Sequence, residues 1–394
     1  MKTLLEITNA INNNLSTDEL LHRFHDTVMN RLLIPRAVLF VKIEGEWSCP
    51  VQYGVDQDYS RFDVVQELSE VRNMQIIPNQ EHTVFKGIDL VIPVHKDDRP
   101  LAYLLVGDID EEELKMSPVI KHMRFVQTLA NIVVVAIENK FLFKQSLERE
   151  RVNAELELAA QMQALMVGSG SRDYGGFEVA SHYKPHHEVG GDFCDFIHFN
   201  EDECFMCVAD VSGKGVSAAF LMANVQAHLR ALLEYTQWTL EKIVIELNKK
   251  VMETVQGERF VTFFMGYFHR PSRTLHYINA GHNPPVLWNR GKTSLLEKGT
   301  VGIGMLDSLP FLHKGEVQLA PNATLACYTD GVVELENEEN EEFGYDRMEE
   351  VMQAHCPSLH HVNDLVIGIN EAIEAHRGQS AYLDDTALLC VRFK

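Results

Sequence analysis

The pattern of apolar and polar positions changes twice along the first part of the chain. Residues 2–30 carry apolar side chains at helical spacing and predict two short helices. Short apolar runs bounded by turn residues follow up to residue 106 and predict strands, of which the last two form a hairpin. From Val119 to about Leu165 there is neither Gly nor Pro, and helix-forming residues dominate. This stretch therefore predicts one long helix.

The long predicted helix is expected to connect two domains. As a single helix it would extend about 70 Å. Its first half is apolar enough to pack on the preceding strands, whereas its second half is charged and needs a partner helix. We expect a parallel homodimer through this segment, with a solvated linker helix in a monomer as the alternative. The predicted division is 1–140 for the first domain, 141–167 for the linker and 168–394 for the second domain.

The second domain alternates strand-like and helix-like stretches. An apolar hairpin between 188 and 211 is followed by helical patterns from Gly215 and over 239–254, and then by further strands. Helices inserted in an otherwise antiparallel strand order predict stacked sheets with helices outside. The fold class predicted for the whole chain is therefore α+β.

Four apolar strands of this domain end in acidic or glycine-rich residues, at Asp192, Asp210, Asp330 and Asp384. A single Asp-Gly pair is commonly a turn. Aspartates at strand ends can meet at one edge of a sheet, and neighbouring glycines let the backbone approach a cation. Four such strand ends in one domain favour a metal site.

Composition restricts the functional classes. The formal net charge of −22 disfavours nucleic-acid binding, which needs clustered Lys and Arg. No apolar run reaches the roughly 18 residues that span a bilayer, so we expect no membrane segment. An odd number of cysteines, 7 in all, favours reduced thiols in the cytoplasm. Cys204 and Cys207 form a lone CxxC, which we interpret as two buried strand residues.

The order of several motifs is that of a known family. The motifs are Leu158-Ala-Ala-Gln-Met-Gln-Ala-Leu165, Val189-Gly-Gly-Asp192, Ala209-Asp-Val-Ser-Gly-Lys-Gly-Val-Ser-Ala-Ala219, Asn279-Ala-Gly-His-Asn-Pro-Pro285, Tyr328-Thr-Asp-Gly-Val-Val-Glu334, Glu342-Phe-Gly344 and Asp384-Asp-Thr-Ala-Leu-Leu389. Residues 155–394 thereby resemble the SpoIIE/RsbU branch of the metal-dependent (PPM-type) serine/threonine phosphatases. The resemblance implies a PPM-type β-sandwich flanked by helices.

The resemblance also implies a set of site residues. Asp210 would bridge two Mn²⁺ or Mg²⁺ ions, and the backbone carbonyl of Val211 would contact one of them. Asp330 and Asp384 would hold the second ion. Asp192 would support the first ion directly or through a water, which makes Asp192 and Asp210 the candidate catalytic residues. Two such ions would activate a water for in-line attack on phosphorus.

Two nearby residues receive weaker assignments. Asp385, next to Asp384, is the poorer candidate as a metal ligand. His282 is interpreted as a residue that shapes its loop rather than as a catalytic group.

The N-terminal domain resembles a GAF domain in its element order and in its closing hairpin. This implies a sensor for a small-molecule or protein signal, and a GAF domain that serves dimerisation alone is equally compatible. The expected function is a regulated phosphatase whose substrate is a phosphoprotein, by family resemblance an anti-sigma-factor antagonist of the STAS type. The alternative is a catalytically inactive dimeric sensor or scaffold that binds partner proteins.

Overall fold

The computed structural model describes residues 2–77, 84–96, 99–108, 118–167, 170–186, 188–235 and 238–394. The chain divides into two compact units, Met1–Val152 and Asn153–Lys394. Gly168 and Ser169, at the predicted border between linker and second domain, lie outside the described residues. The division into three segments stays a prediction.

The N-terminal unit combines short helices with one antiparallel sheet. Its elements are α1 (Lys2–Asn12), α2 (Thr17–Asp26), a π-helical turn (Thr27–Arg31), β1 (Arg36–Ile43), β2 (Glu46–Tyr53), α3 (Val64–Leu68), β3 (Gln75–Ile76), β4 (Leu90–Lys96) and β5 (Arg99–Gly107). Within the described residues the strand order is β2-β1-β5-β4-β3. The predicted hairpin is confirmed, because β4 pairs with β5 antiparallel.

Local sequence explains how this unit begins. Ser16 caps α2: its hydroxyl accepts a hydrogen bond from the Glu19 amide at 3.2 Å, and the Glu19 carboxylate accepts one from the Ser16 amide at 2.8 Å. This reciprocal pair satisfies two amides that the helix itself leaves free. Apolar side chains of α2, including Phe24, are then buried in the core of the unit.

The long helix is confirmed as α4 (Pro118–Val167), a single helix of 50 residues. Its first half contributes Val126, Leu129 and Val133 to the N-terminal core. Its second half is largely exposed until Gln163 and Val167, which are buried in the C-terminal unit.

The C-terminal unit alternates strands and helices as the sequence predicts. Its elements are β6 (Gly170–Asp173), β7 (Phe177–Lys184), β8 (Phe193–Asn200), β9 (Glu203–Val211), α5 (Val216–Tyr235), α6 (Leu240–Val255), β10 (Val261–His269), β11 (Thr274–Ala280), β12 (Val286–Asn289), β13 (Lys292–Leu295), β14 (Gly299–Thr300), β15 (Gly315–Gln318), β16 (Ala323–Tyr328), α7 (Asp330–Val333), α8 (Gly344–His355), a 3₁₀ turn (Cys356–Ser358), α9 (Val362–Arg377) and β17 (Thr386–Phe393).

Two sheets form the layers of this unit. One has the order β14-β11-β10-β9-β8, with β15 paired to β11, and the other has the order β13-β12-β16-β17-β7-β6. Side chains of both sheets, such as Phe263 and Val391, share one core with α5 and α6. A second core joins the other sheet to α8 and α9. The predicted α+β sandwich flanked by helices is therefore confirmed.

All seven cysteines are free thiols. Cys204 and Cys207 are buried within β9, as interpreted from the sequence. Their burial raises the pKa of both thiols well above its usual range, which is the opposite of what a reactive thiol needs.

In the part of the chain that the structure describes, two helices, α4 and α5, are long and apolar enough to cross a membrane by length and composition alone. Their apolar faces contribute Val133 to the N-terminal core and Leu229 to the C-terminal core. Burial in a protein core accounts for only part of such composition, and the expected lack of membrane association stays a prediction.

Candidate metal centre

The first sheet brings two of the predicted aspartates together. Phe193 of β8 is paired with Ala209 of β9, so Asp192 and Asp210 stand next to each other at the end of the hairpin. Asp210 in turn pairs with Thr262 of β10. Sheet register alone therefore places both carboxylates at one edge.

The second sheet brings the other two aspartates to its own strand ends. Thr329, which is fully buried, donates its amide to the carbonyl of Ala387 at 3.1 Å and accepts the Ala387 amide on its hydroxyl at 2.9 Å. This reciprocal contact joins the end of β16 to the start of β17. Asp330 directly follows Thr329, and Asp384 lies just before β17, so both aspartates emerge at the same place.

Electrostatic contacts show that the aspartates of the two sheets form one cluster. Burial, and next the charge of Asp210, raise the pKa of Asp192 well above its usual range. Burial, and next the charge of Asp330, raise the pKa of Asp210 to about 6. Burial, and next the charge of Asp384, raise the pKa of Asp330. Each carboxylate is thus destabilised by the next one. We call Asp192, Asp210, Asp330, Asp384 and Asp385 the acidic edge.

The acidic edge fits a divalent cation in its chemistry. Asp192 is 2% exposed, and its Oδ2 atom has no hydrogen-bond partner among the described residues. Carboxylate oxygens are the donors that Mg²⁺ and Mn²⁺ prefer. Among the described residues, no three His, Cys, Asp or Glu side chains converge closely enough to hold an ion together. Like charges keep carboxylates apart, and Asp384 is instead paired with Lys214 at 2.7 Å.

The Val211 carbonyl lies close to the loop that carries Asp192. A Cβ atom placed on Gly191 would lie 3.0 Å from the Val211 oxygen, which is closer than a side chain normally comes. The loop can approach this carbonyl because residue 191 is a glycine. The following residue is fixed as well, since the Ser212 hydroxyl accepts the Phe260 amide at 2.9 Å. The structure therefore holds the predicted carbonyl ligand beside Asp192 and Asp210.

Asp385 accepts hydrogen bonds from backbone amides, unlike its neighbour Asp384, which is paired with Lys214. The Asp385 carboxylate accepts the His186 amide at 2.7 Å and the Gly191 amide at 2.8 Å. A Cβ atom on Gly190 would lie 2.2 Å from Asp385 Oδ2, which explains the first glycine of the Val189–Asp192 motif. Asp385 thus shapes the loop before Asp192, a role that the sequence analysis missed.

Gln163 is a further residue that sequence reasoning missed. Its side-chain nitrogen donates to the Gly190 carbonyl at 2.6 Å, and its oxygen accepts the Gly190 amide at 3.1 Å. Both bonds are buried, although most neighbouring side chains of α4 are exposed. The last turns of α4 are therefore tied to the loop of Asp192. No sequence signal distinguishes Gln163 from the exposed Gln161 two residues before it.

His282 is held in place on both sides of its ring. Its Nε2 donates to the carbonyl of Tyr328 at 3.1 Å, and its Nδ1 accepts from the Thr262 hydroxyl at 2.8 Å. Burial lowers the pKa of His282 to about 4, so the ring is neutral at neutral pH. These contacts connect the start of β10 to the end of β16, which agrees with the loop-shaping role predicted for this residue.

Comparison with known proteins identifies this part of the chain. Residues 200–394 match the family model described as Stage II sporulation protein E (SpoIIE). The C-terminal unit therefore contains a SpoIIE-type domain. The SiaA-PP2C domain of Pseudomonas aeruginosa has the same fold, with a TM-score of 0.54 and 20% identity over 63% of this chain and 99% of that chain.

Curated relatives of this chain include two bacterial proteins. Protein IcfG of Synechocystis sp. is 25% identical over 64% of this chain and 43% of its own length. Phosphoserine phosphatase RsbU of Bacillus subtilis is 22% identical over 48% of this chain and 56% of its own length. The chain thus spans about half the length of these relatives. Residues 1–199 lie outside the family model, and the GAF-like assignment stays a prediction.

Proposed function

We propose that this chain is a cytoplasmic, metal-dependent protein serine/threonine phosphatase. The acidic edge is the observation that carries the proposal, because it gathers five carboxylates at the end of a PP2C-type sandwich, and buried Asp192 has an oxygen without a hydrogen-bond partner among the described residues. Perturbed carboxylates of this kind concentrate at functional sites. The name of the relative RsbU, a phosphoserine phosphatase, supports the same reaction.

Five groups would hold two Mn²⁺ or Mg²⁺ ions. Asp210 would contact both ions, Asp192 and the Val211 carbonyl would serve the first, and Asp330 and Asp384 would serve the second. When bound, the ions would supply an activated water and offset charge on the phosphoryl oxygens.

The surrounding residues keep this ligand set in place. Asp385 and Gln163 fix the loop before Asp192. Thr329 fixes the strand ends beside Asp330. His282 is not available as a general acid, because both of its ring nitrogens are already engaged with protein groups.

Release of phosphate from an aryl phosphate tests the reaction. With Mn²⁺, the full-length protein is expected to turn over, and Asp210→Asn is expected to lose this activity while remaining folded. Asp202→Asn, in the exposed turn between β8 and β9, is a matched control that keeps the activity. A lack of metal-dependent turnover in the wild-type protein across pH 6 to 9 would instead favour the inactive scaffold.

The proposed substrate is a phosphoserine or phosphothreonine of a partner protein, specifically an anti-sigma-factor antagonist of the STAS type. The support is family resemblance together with the relative RsbU. A capture experiment with the Asp210→Asn protein as bait tests it, with the wild-type protein as control. Retention of a phosphorylated STAS-type protein by the variant is expected. Retention of an unrelated phosphoprotein in its place would overturn the substrate assignment.

We further propose that the N-terminal unit regulates the site through α4. Gln163, close to the end of α4, holds both backbone groups of Gly190, two residues before Asp192. A change at this helix end can therefore reach a metal ligand through a single loop. We expect Gln163→Ala to change Mn²⁺ affinity and turnover at least fivefold, whereas Gln161→Ala, on an exposed position of the same turn, leaves both unchanged. Equal behaviour of the two variants would contradict this route.

The second half of α4 is also proposed to form a parallel homodimer. Its exposed apolar side chains include Phe143, Leu147, Leu158, Met162 and Leu165, which is 86% exposed. Such side chains on a charged helix are typical of a surface that a second helix covers. Light scattering is expected to give the mass of a dimer for the wild-type protein and a lower mass for Leu158→Glu. A monomeric wild-type protein would contradict the proposal.

A further inference from the structure

Lys214 places a positive charge directly beside the acidic edge. It lies in the loop between β9 and α5, four residues after Asp210. Its ammonium is 2.7 Å from Asp384 Oδ2 and donates to the Leu383 carbonyl at 2.7 Å. The hydrogen bond to Asp384, together with the charges of Asp385 and Asp330, raises the pKa of Lys214. The ammonium therefore interacts with several members of the acidic edge.

This contact engages an oxygen that the proposed function assigns to a metal ion. An ammonium and a divalent cation on one carboxylate repel each other strongly at such distances. Lys214 and Asp384 are both about half exposed, at 47% and 41% of their side chains, so the pair can separate without burying a charge. The two cations therefore compete for Asp384.

The second argument is the charge of the substrate. The acidic edge has five carboxylates, and two divalent ions do not neutralise all of them. A phosphate monoester adds a further dianion. A flexible ammonium next to the site offsets this charge and can donate to phosphoryl oxygens. Arg259, also close by, is already used, since it donates to the Ser212 carbonyl and the Ser217 hydroxyl at 2.8 Å each.

We propose that Lys214 is a tethered counter-ion that changes partner. It pairs with Asp384 in the metal-free protein, is displaced when a metal ion takes Asp384, and then binds the phosphoryl group of the substrate. The inference rests on the proposed function and adds to it a substrate-binding residue.

Two measurements on full-length Lys214→Met test both halves of the exchange. Calorimetric titration with Mn²⁺ is expected to show about threefold to tenfold tighter binding than in the wild-type protein, because a competing cation is gone. In turnover assays with saturating Mn²⁺, KM for the phosphate ester and the inhibition constant of inorganic phosphate are expected to rise about fivefold or more, with a smaller change in kcat. Lys214→Arg, which keeps the charge, is expected to restore phosphate binding.

Lys250→Met, on the exposed face of α6, is the matched control, and a cooperative melting transition shows that each variant is folded. Unchanged Mn²⁺ affinity in Lys214→Met overturns the exchange, and so does unchanged inhibition by phosphate. The Mn²⁺ titration needs no turnover. A wild-type protein that binds Mn²⁺ without hydrolysing phosphate esters would therefore refute the proposed function separately from the displacement of Lys214.

Discussion

Two aspartates at the start of β8 stand only three residues apart and have opposite surroundings. Asp195 is 6% exposed, and both of its oxygens accept from the Arg230 guanidinium, at 2.7 and 2.8 Å. Gln226 adds a third bond at 3.3 Å. Asp192 is equally buried, but its Oδ2 has no partner among the described residues and its strongest charged neighbour is the like charge of Asp210.

The difference separates a structural carboxylate from a functional one. A buried charge is tolerated when an opposite charge and hydrogen bonds surround it, as they do at Asp195. At Asp192 a hydrogen bond with Thr329 offsets only part of the effect of burial and of the like charge of Asp210, so the charged carboxylate destabilises the metal-free protein. Such a cost is understandable where a cation binds during function.

The largest effect is expected when the uncompensated carboxylate is removed. Asp192→Asn should lower metal-dependent kcat about a hundredfold or more, because a group that supports a metal ion is lost. It should also raise the melting temperature of the metal-free protein, since like-charge repulsion is relieved. Asp195→Asn is the control and should lower the melting temperature while keeping turnover per folded molecule. If the two variants behave alike, the contrast between the two aspartates does not exist.

A smaller effect is expected when the compensated carboxylate loses its partner. Arg230→Met leaves Asp195 buried without a cation and should lower the free energy of unfolding by about 2 to 3 kcal/mol. This is below the usual cost for a fully buried pair because Arg230 is half exposed. Chemical denaturation of the metal-free variant measures the loss. A stability equal to that of the wild-type protein would mean that solvent, not Arg230, compensates Asp195.

The smallest effect concerns the pH dependence of stability. The pKa of Asp210 is about 6 in the folded protein and about 4 in an unfolded chain. The folded state therefore keeps the Asp210 carboxyl group protonated to a higher pH than the unfolded chain does. The contribution of this group to stability is lost as the pH rises from 4 through 6. Over that interval, the wild-type protein should lose about 2 kcal/mol relative to Asp210→Asn when no metal is present.

The wild-type protein is compared with Asp210→Asn because His282 changes the stability in the opposite direction as the pH rises. Its pKa is lowered to about 4, so its contribution to stability is present above the unfolded pKa and is lost as the pH falls. The difference between wild type and Asp210→Asn cancels this effect. Parallel stability curves for the two proteins would show that Asp210 is not perturbed.

Sequence predicted the fold better than it predicted the site. Strands such as β16 and β17 are continuous apolar runs that follow turn residues, so local pattern alone indicates a strand at both places. The short strands β13, β14 and β15 have no comparable signal, because two to four residues carry no clear period and pair only through tertiary contacts.

In the site, too, local sequence pattern predicts only some of the residues. Strand ends and glycines pointed to Asp192, Asp210, Asp330 and Asp384, since these positions follow from local pattern. The tasks of Gln163 and Asp385 depend on hydrogen bonds to residues 27 and 194 or more positions away. No local pattern contains such contacts, so the chain had to be folded before either role was visible.

Calorimetric titration of the full-length protein with Mn²⁺ tests the central claim most directly, because it counts the ions held by the acidic edge without requiring a substrate. The account predicts two ions for each wild-type chain and a loss of this binding in Asp210→Asn. Binding that is absent from the wild-type protein, or that persists unchanged in Asp210→Asn, would contradict it.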